Sequence, residues 1–200
     1  MQPLPVHGFV LAGGRSSRMA VDKATLLFCG RPMVEIAVEK LRSFCAEVSI
    51  AGSREDLAAF APVVHETRLE SGPAAGVEAG LRAAKHDWVM FLPVDVPLVP
   101  AELLRRWAED VLHQGSRGLQ ASNLFVEVNQ PAFCMLRREC LAGFSDGLES
   151  GERRLSLLLQ KSGHHQSYGP DIANSSWFMN INTPQDMADA EAWARHPTNQ

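Results

Sequence analysis

Two hundred residues, 46% hydrophobic and 21% charged, have the length and composition of one globular domain. Nineteen Lys and Arg against 23 Asp and Glu give a formal charge of −4, which excludes a protein that grips nucleic acid or an anionic membrane through a broad basic face. No apolar run reaches the roughly 18 residues of a membrane span. Residues 1–10 carry neither a basic leader nor a signal-peptide core. Cys29, Cys45, Cys134 and Cys140 have the spacing of neither a zinc site nor a disulfide framework, so a cytoplasmic protein with reduced, buried thiols is expected.

In chain order, the short apolar run 8–12, ended by Gly13-Gly14, predicts a buried strand. Pro32 opens a predicted helix to about residue 44, with Val34, Ala37, Val38 and Leu41 on one face. Residues 48–51 read as the second strand, 54–60 as a short helix and 63–64 as a third strand. Residues 72–84 read as a helix entered through a glycine-rich turn, and 88–92 as a continuous apolar, central strand. Residues 101–112 form a helix behind Pro100, with Leu103, Leu104, Trp107 and Val111 inward. Beyond it, 119–128 and 132–136 read as strands of an antiparallel pair, 155–161 as a helix, and His164-His165 as a polar surface loop. Residues 178–181 read as a last short strand, and 184–194 as a closing helix with Pro184 in its first turn.

This alternation predicts an α/β fold of three layers, a Rossmann-like, mostly parallel sheet with helices on both faces. Ligands of such sheets bind beyond the carboxyl ends of the strands. Gly13-Gly14, Gly52-Ser53 and Asp95 fall there.

Four constellations stand out. In Leu11-Ala12-Gly13-Gly14, followed by Arg15, Arg18 and Asp22-Lys23, two glycines let backbone N–H groups approach an anion while three cations cluster around it. A solvated basic turn fits the same residues; neither GxGxxG nor a P-loop is present. Asp95, bracketed by Pro93 and Pro97, is a candidate Mg²⁺ ligand or a turn-forming Asp. Gly72-Pro73 and Gly76 lead a helix whose small residues would admit a flat base or ribose, or merely form a turn. Asn180 and Asn182, alternating on the predicted last strand, would point the same way as paired donors and acceptors, while Thr183 caps the final helix. The turn 151–154 adds Arg153 and Arg154. Ser16 and Ser17 have no His partner, so nucleophilic catalysis is not indicated.

Taken together, LAGG with SRM and DK, GPAAG, the proline-bracketed Asp95, GERR and FMNINTP resemble the NTP-transferase superfamily, and within it the molybdenum cofactor guanylyltransferases, over nearly the whole chain. The resemblance implies a nucleotide-diphospho-sugar transferase-like fold in a single domain spanning 1–200, with nucleotide bound by about 6–112 and the pterin substrate by about 113–200. It implies transfer of GMP from GTP to the phosphate of molybdenum-molybdopterin with release of pyrophosphate. Arg18, Lys23 and Asp95 would be catalytic, with Asp95 on Mg²⁺. Leu11, Ala12, Gly13, Gly14, Lys23, Gly52, Ser53, Glu66, Gly72, Pro73, Gly76 and Asp95 would bind the nucleotide. Arg154, Asn180 and Asn182 would bind the pterin.

Other cofactor-biosynthesis proteins and apo-molybdoenzymes are implied as partners. The chain departs from the family pattern at Ala20, where Gly is usual, at Gly52-Ser53 for Asn, at Glu66 for Asp, and at Gln130 for His. A related transferase using CTP or a sugar phosphate is one alternative; a nucleotide-binding cofactor-delivery protein without catalysis is another. The charge is uneven in a way that suits a small polyanion: residues 1–31 carry Arg15, Arg18, Lys23 and Arg31 against Asp22 alone.

Overall fold

The computed structural model describes residues 2–13, 22–68, 72–126, 128–169 and 175–196. Arg18 and Gly14, expected in the phosphate loop, lie outside the described residues, as do Arg15 and Ala20. The elements are β1 (Leu4–Leu11), a small hairpin of β2 (Leu27–Phe28) and β3 (Arg31–Pro32), α1 (Met33–Arg42), β4 (Cys45–Ala51), β5 (Val63–Val64), α2 (Pro73–Ala83) and β6 (Trp88–Pro93). They continue with α3 (Ala101–Gly115), β7 (Ala121–Val126), β8 (Val128–Arg137), α4 (Leu141–Glu149), α5 (Leu155–Lys161), β9 (His165–Tyr168) and α6 (Pro184–Ala194). Single turns of 3-10 helix occupy Lys23–Thr25, Glu55–Ala59, Arg138–Cys140 and Ser175–Phe178.

The main sheet has seven strands in the order β5-β4-β1-β6-β8-β7-β9. Its pairs are parallel except where β8 meets β6 and β7. Central β1 is buried from Val6 to Leu11, as a parallel strand covered on both faces must be. One face packs α1, α3 and α6 through Val34, Leu41, Trp107 and Ala190. The other packs α2, α4 and α5 through Val77, Leu81, Phe144 and Leu158. The three-layer, mostly parallel architecture expected from the alternation is therefore present. Among the described residues no helix is long and apolar enough to cross a membrane.

Several local expectations are corrected. Residues 178–181 are not a strand: the 3-10 turn ends at Phe178, and the Ile181 N–H donates to the Asp95 carbonyl at 2.9 Å rather than to a neighbouring strand's ladder. His165 is not in a surface loop. It begins β9, half-buried, with its Nε2 2.7 Å from Asn123 Oδ1. The sequence does not announce helix α4, because Gly143, Ser145, Asp146 and Gly147 have turn chemistry; burial of Phe144 and Leu148 overrides it. Of the four free cysteines Cys45, Cys134 and Cys140 are buried, but Cys29 is exposed in the β2–β3 turn. β1 begins at Leu4 and β4 at Cys45, three or more residues ahead of the runs that announced them.

Candidate active site

Because β1, β4, β5 and β6 run the same way, Gly13, Gly52, Glu66 and Asp95 emerge at one edge of the sheet. Backbone bonds bind these strand ends to one another: Ala12 N donates to Ala51 O at 3.0 Å, Gly52 N to Val64 O at 3.1 Å, and Val94 N to Leu11 O at 3.2 Å. The edge is thus a rigid rim, suited to holding polar groups in fixed relation.

On this rim a lysine, a carboxylate and an amide from distant parts of the chain converge. Lys23 Nζ donates to Asp95 Oδ2 at 2.8 Å and to Asn182 Oδ1 at 2.6 Å. The Lys23 side chain retains 16% exposure and that of Asp95 22%, so the pair can be reached from solvent. An ammonium has three donors; these two bonds leave one for an incoming anion.

Each member is placed locally. Asp22 caps the turn at Lys23–Thr25, its Oδ1 accepting from Ala24 N at 2.8 Å, and Arg54 holds Asp22 Oδ2 at 2.9 Å. Asp95 is held through its own carbonyl by Ile181. Asn182 is held by Asp186, whose Oδ2 accepts from the N–H groups of Asn182 and Thr183, each at 2.8 Å. Thr183 Oγ1 accepts from Asp186 N at 3.1 Å, completing a capping box at the start of α6.

On the same rim, Glu66 lies against Gly13 and Gly76. Glu66 is half-buried, and its carboxylate occupies the space that a side chain at Gly13 would need: a Cβ built there would overlap Oε1. A Cβ on Gly76 would come to 3.2 Å from the same atom and 2.9 Å from Leu11. Burial pushes the Glu66 carboxyl above its ordinary pKa, and no described residue hydrogen-bonds to it. Gly72 leads α2 with φ +56°, a conformation that favours glycine, and with Pro73 it is exposed at the helix start.

The structure thus brings together Lys23, Asp95 and Asn182, and next to one another Leu11, Gly13, Glu66 and Gly76, with Ala12 and Gly52 in contact where β1 and β4 end. Ser53 is exposed beyond β4. Asn180 is half-buried and, without a strand under it, does not join Asn182 on Lys23. Arg154 forms an ion pair with Glu152 at 3.1 Å just ahead of α5, its side chain 74% exposed.

Three comparisons bear on this arrangement. A model of the MobA-like NTP transferase domain matches residues 8–166. The chain belongs to this family. It is therefore a nucleotidyltransferase. A molybdenum cofactor guanylyltransferase of Vibrio cholerae is 33% identical over 98% of this chain and 96% of its own length. One of Polynucleobacter asymbioticus is 30% identical over 96% and 98%. Among solved structures, molybdopterin-guanine dinucleotide biosynthesis protein A of Archaeoglobus fulgidus superposes with a TM-score of 0.77 at 22% identity, covering 93% of this chain and 97% of that one. A CMP:2-keto-3-deoxy-manno-octonic acid synthetase, complexed with CTP, gives 0.74 at 15% identity, covering 94% and 97%. At those identities the two structures speak to the fold alone.

Against this MobA-like background, sequence reading missed Arg54, Asp22 as a cap, and Asp186. The Thr-x-x-Asp spacing at 183–186 is a readable capping signal. Nothing near Arg54 in sequence announces its bond to Asp22.

Proposed function

We propose that this nucleotidyltransferase transfers GMP from GTP to the phosphate of molybdenum-molybdopterin, releasing pyrophosphate and forming the guanine dinucleotide cofactor. The observation that carries the reading is the Lys23–Asp95–Asn182 cluster on the carboxyl edge of the sheet, in a chain related over nearly its full length to a protein of that name. In one step an oxygen of the molybdopterin phosphate bonds to the α-phosphorus of GTP, and the bond from that phosphorus to the β-phosphate bridging oxygen breaks. The attacking phosphate is already ionised, so no general base is required.

Lys23 spends its remaining donor on the phosphates and neutralises charge that grows on departing pyrophosphate. Arg18 is assigned the same task. Gly13, with Leu11, Ala12 and Gly14, lets the backbone approach the nucleotide. Glu66, Gly52, Ser53, Gly72, Pro73 and Gly76 border the nucleoside. Asn182, Asn180 and Arg154 are assigned to the pterin substrate. On this reading, residues 6–112 serve the nucleotide and residues 113–200 the pterin within one domain.

The family generally works with a divalent metal. Among the described residues no three His, Cys, Asp or Glu side chains cluster as a protein-only cage. Magnesium on a triphosphate needs only one or two carboxylates, the rest coming from phosphate and water. Asp95, whose Oδ2 alone is engaged by Lys23, fits that need. When bound, Mg²⁺ supplies Lewis-acid polarisation of the phosphate oxygens. Because GTP is an intracellular nucleotide, the cytoplasm is the compartment proposed. Delivery to apo-molybdoenzymes and contact with other cofactor-biosynthesis proteins belong to the same reading.

The experiment is pyrophosphate release by the purified protein with Mg²⁺ and metal-bearing molybdopterin, comparing GTP, CTP and UTP. GTP is expected to be preferred by about ten-fold or more in kcat/KM, the scale of one discriminating interaction. Preference for CTP would overturn the guanylyl assignment.

A further inference from the structure

Two residues beyond Glu66 the chain carries Arg68, and its partner is unusual. Glu78, on the inner side of α2, is the one buried carboxylate among the described residues, 1% exposed. Arg68 Nε donates to Glu78 Oε2 at 2.7 Å, Ser145 Oγ of α4 to Oε1 at 2.6 Å, and Arg82 Nη2 to Oε1 at 3.4 Å. Burial would push this carboxyl upward in pKa. Arg68 and Ser145 pull it down further, leaving it below its ordinary value and charged. The other arm of the same guanidinium, Nη2, donates to Glu149 Oε1 on α4 at 3.0 Å. One planar fork therefore pins the segment after β5 to two helices at once.

This pairing is a poor device for stability alone. A buried ion pair is commonly matched or bettered by apolar side chains of similar volume. Its placement suggests another use. The segment 65–68 leaves the sheet after β5, which pairs with β4 through only Val63 and Val64. Glu66 has no hydrogen bond of its own to a described residue, so its carboxylate stays beside Gly13 and Gly76 only as far as the backbone does.

We propose that Arg68 is a positioning residue: anchored by buried Glu78, it clamps segment 65–68 so that the Glu66 carboxylate stays in the pocket shared with Gly13 and Gly76. This rests on the reading that the pocket holds the nucleoside of GTP. Arg68 then governs how well GTP binds, while the phosphate chemistry at Lys23 and Asp95 proceeds at its own rate. Lysine replaces it only in part, having a point charge where the clamp needs a fork.

The test uses the full chain as Arg68→Lys and as the double variant Arg68→Met/Glu78→Leu, which removes both charges and keeps the volume apolar. Thermal midpoint, KM for GTP and kcat of pyrophosphate release are measured, together with hydrogen exchange of residues 65–68. The double variant is expected to melt at or above the wild-type temperature, yet with KM for GTP raised about ten-fold and kcat within about two-fold, the pattern of lost ground-state binding. Arg68→Lys should raise KM less, and exchange at 65–68 should quicken in both. A stable double variant with wild-type KM would overturn the clamp. If the wild type itself releases no pyrophosphate from GTP, the functional reading fails. The clamp is then judged by exchange alone: faster exchange at 65–68 in the double variant upholds it, and unchanged exchange refutes it.

Discussion

His7 lies in the middle of β1, 2% exposed, with its ring 4.2 Å from that of Phe9. The Lys85 backbone N–H donates to Nδ1 at 3.2 Å, so the proton sits on Nε2 and is donated to Ser49 Oγ at 3.0 Å. Burial lowers its pKa to about 4, with Glu47 opposing and Lys85 and His86 adding to the effect. A histidine depressed in the folded state takes up its proton more readily when unfolded. Its contribution is therefore complete above the unfolded value of 6.5 and is lost as pH falls towards 4. That interval corresponds to about 3 kcal/mol. Urea midpoints measured between pH 7 and pH 4 should show this loss in the wild type and a flatter profile in His7→Gln; equal slopes would contradict it.

At the scale of the element, hydrophobic runs and breakers were sufficient guides for most of the fold. The run at Trp88–Pro93, the helix behind Pro100 and the helix after Thr183 are where the sequence places them, to within a few residues. The failures share a cause. Helix α4 and strand β9 are made of residues with weak local preference and owe their form to packing on the sheet, which periodicity cannot see. Residues 178–181 have the apolar content of a strand but are drawn off by the Asp95 carbonyl.

Packing also decides a conflict in α2. Alanine is the better helix former at Gly80 by about 1 kcal/mol. A Cβ there would stand only 2.5 Å from Cε1 of Phe91, which is fully buried in β6 and stacked on Phe9. Overpacking of this kind costs about 1–3 kcal/mol. Gly80→Ala is thus expected to lower the urea midpoint, and a raised midpoint would mean that the ring yields.

Over the whole molecule, a seven-stranded sheet gathers on one edge what the sequence keeps far apart. Lys23 lies 72 positions from Asp95 and 159 from Asn182, yet one ammonium bonds to both. Their residue types were legible because glycines, prolines and a cation cluster mark strand ends. Their meeting was not legible, since it depends on strand order and on the Arg54–Asp22 and Asp186 contacts. The global charge of −4 concealed this: the basic character is local, with four cations and one acid in residues 1–31. On the proposed function, Lys23 would let an acidic protein accept a triphosphate through a directed cation rather than a field over its surface.

The reading that this edge performs the proposed transfer needs Asp95 as its indispensable carboxylate. It is tested most directly by pyrophosphate release from GTP, with Mg²⁺ and metal-bearing molybdopterin, in the wild type and in Asp95→Ala of unchanged circular dichroism. The wild type should turn over and the variant should fall by about a hundred-fold or more, the usual cost of removing a group that stabilises transition-state charge; release by Asp95→Ala at the wild-type rate would contradict the account.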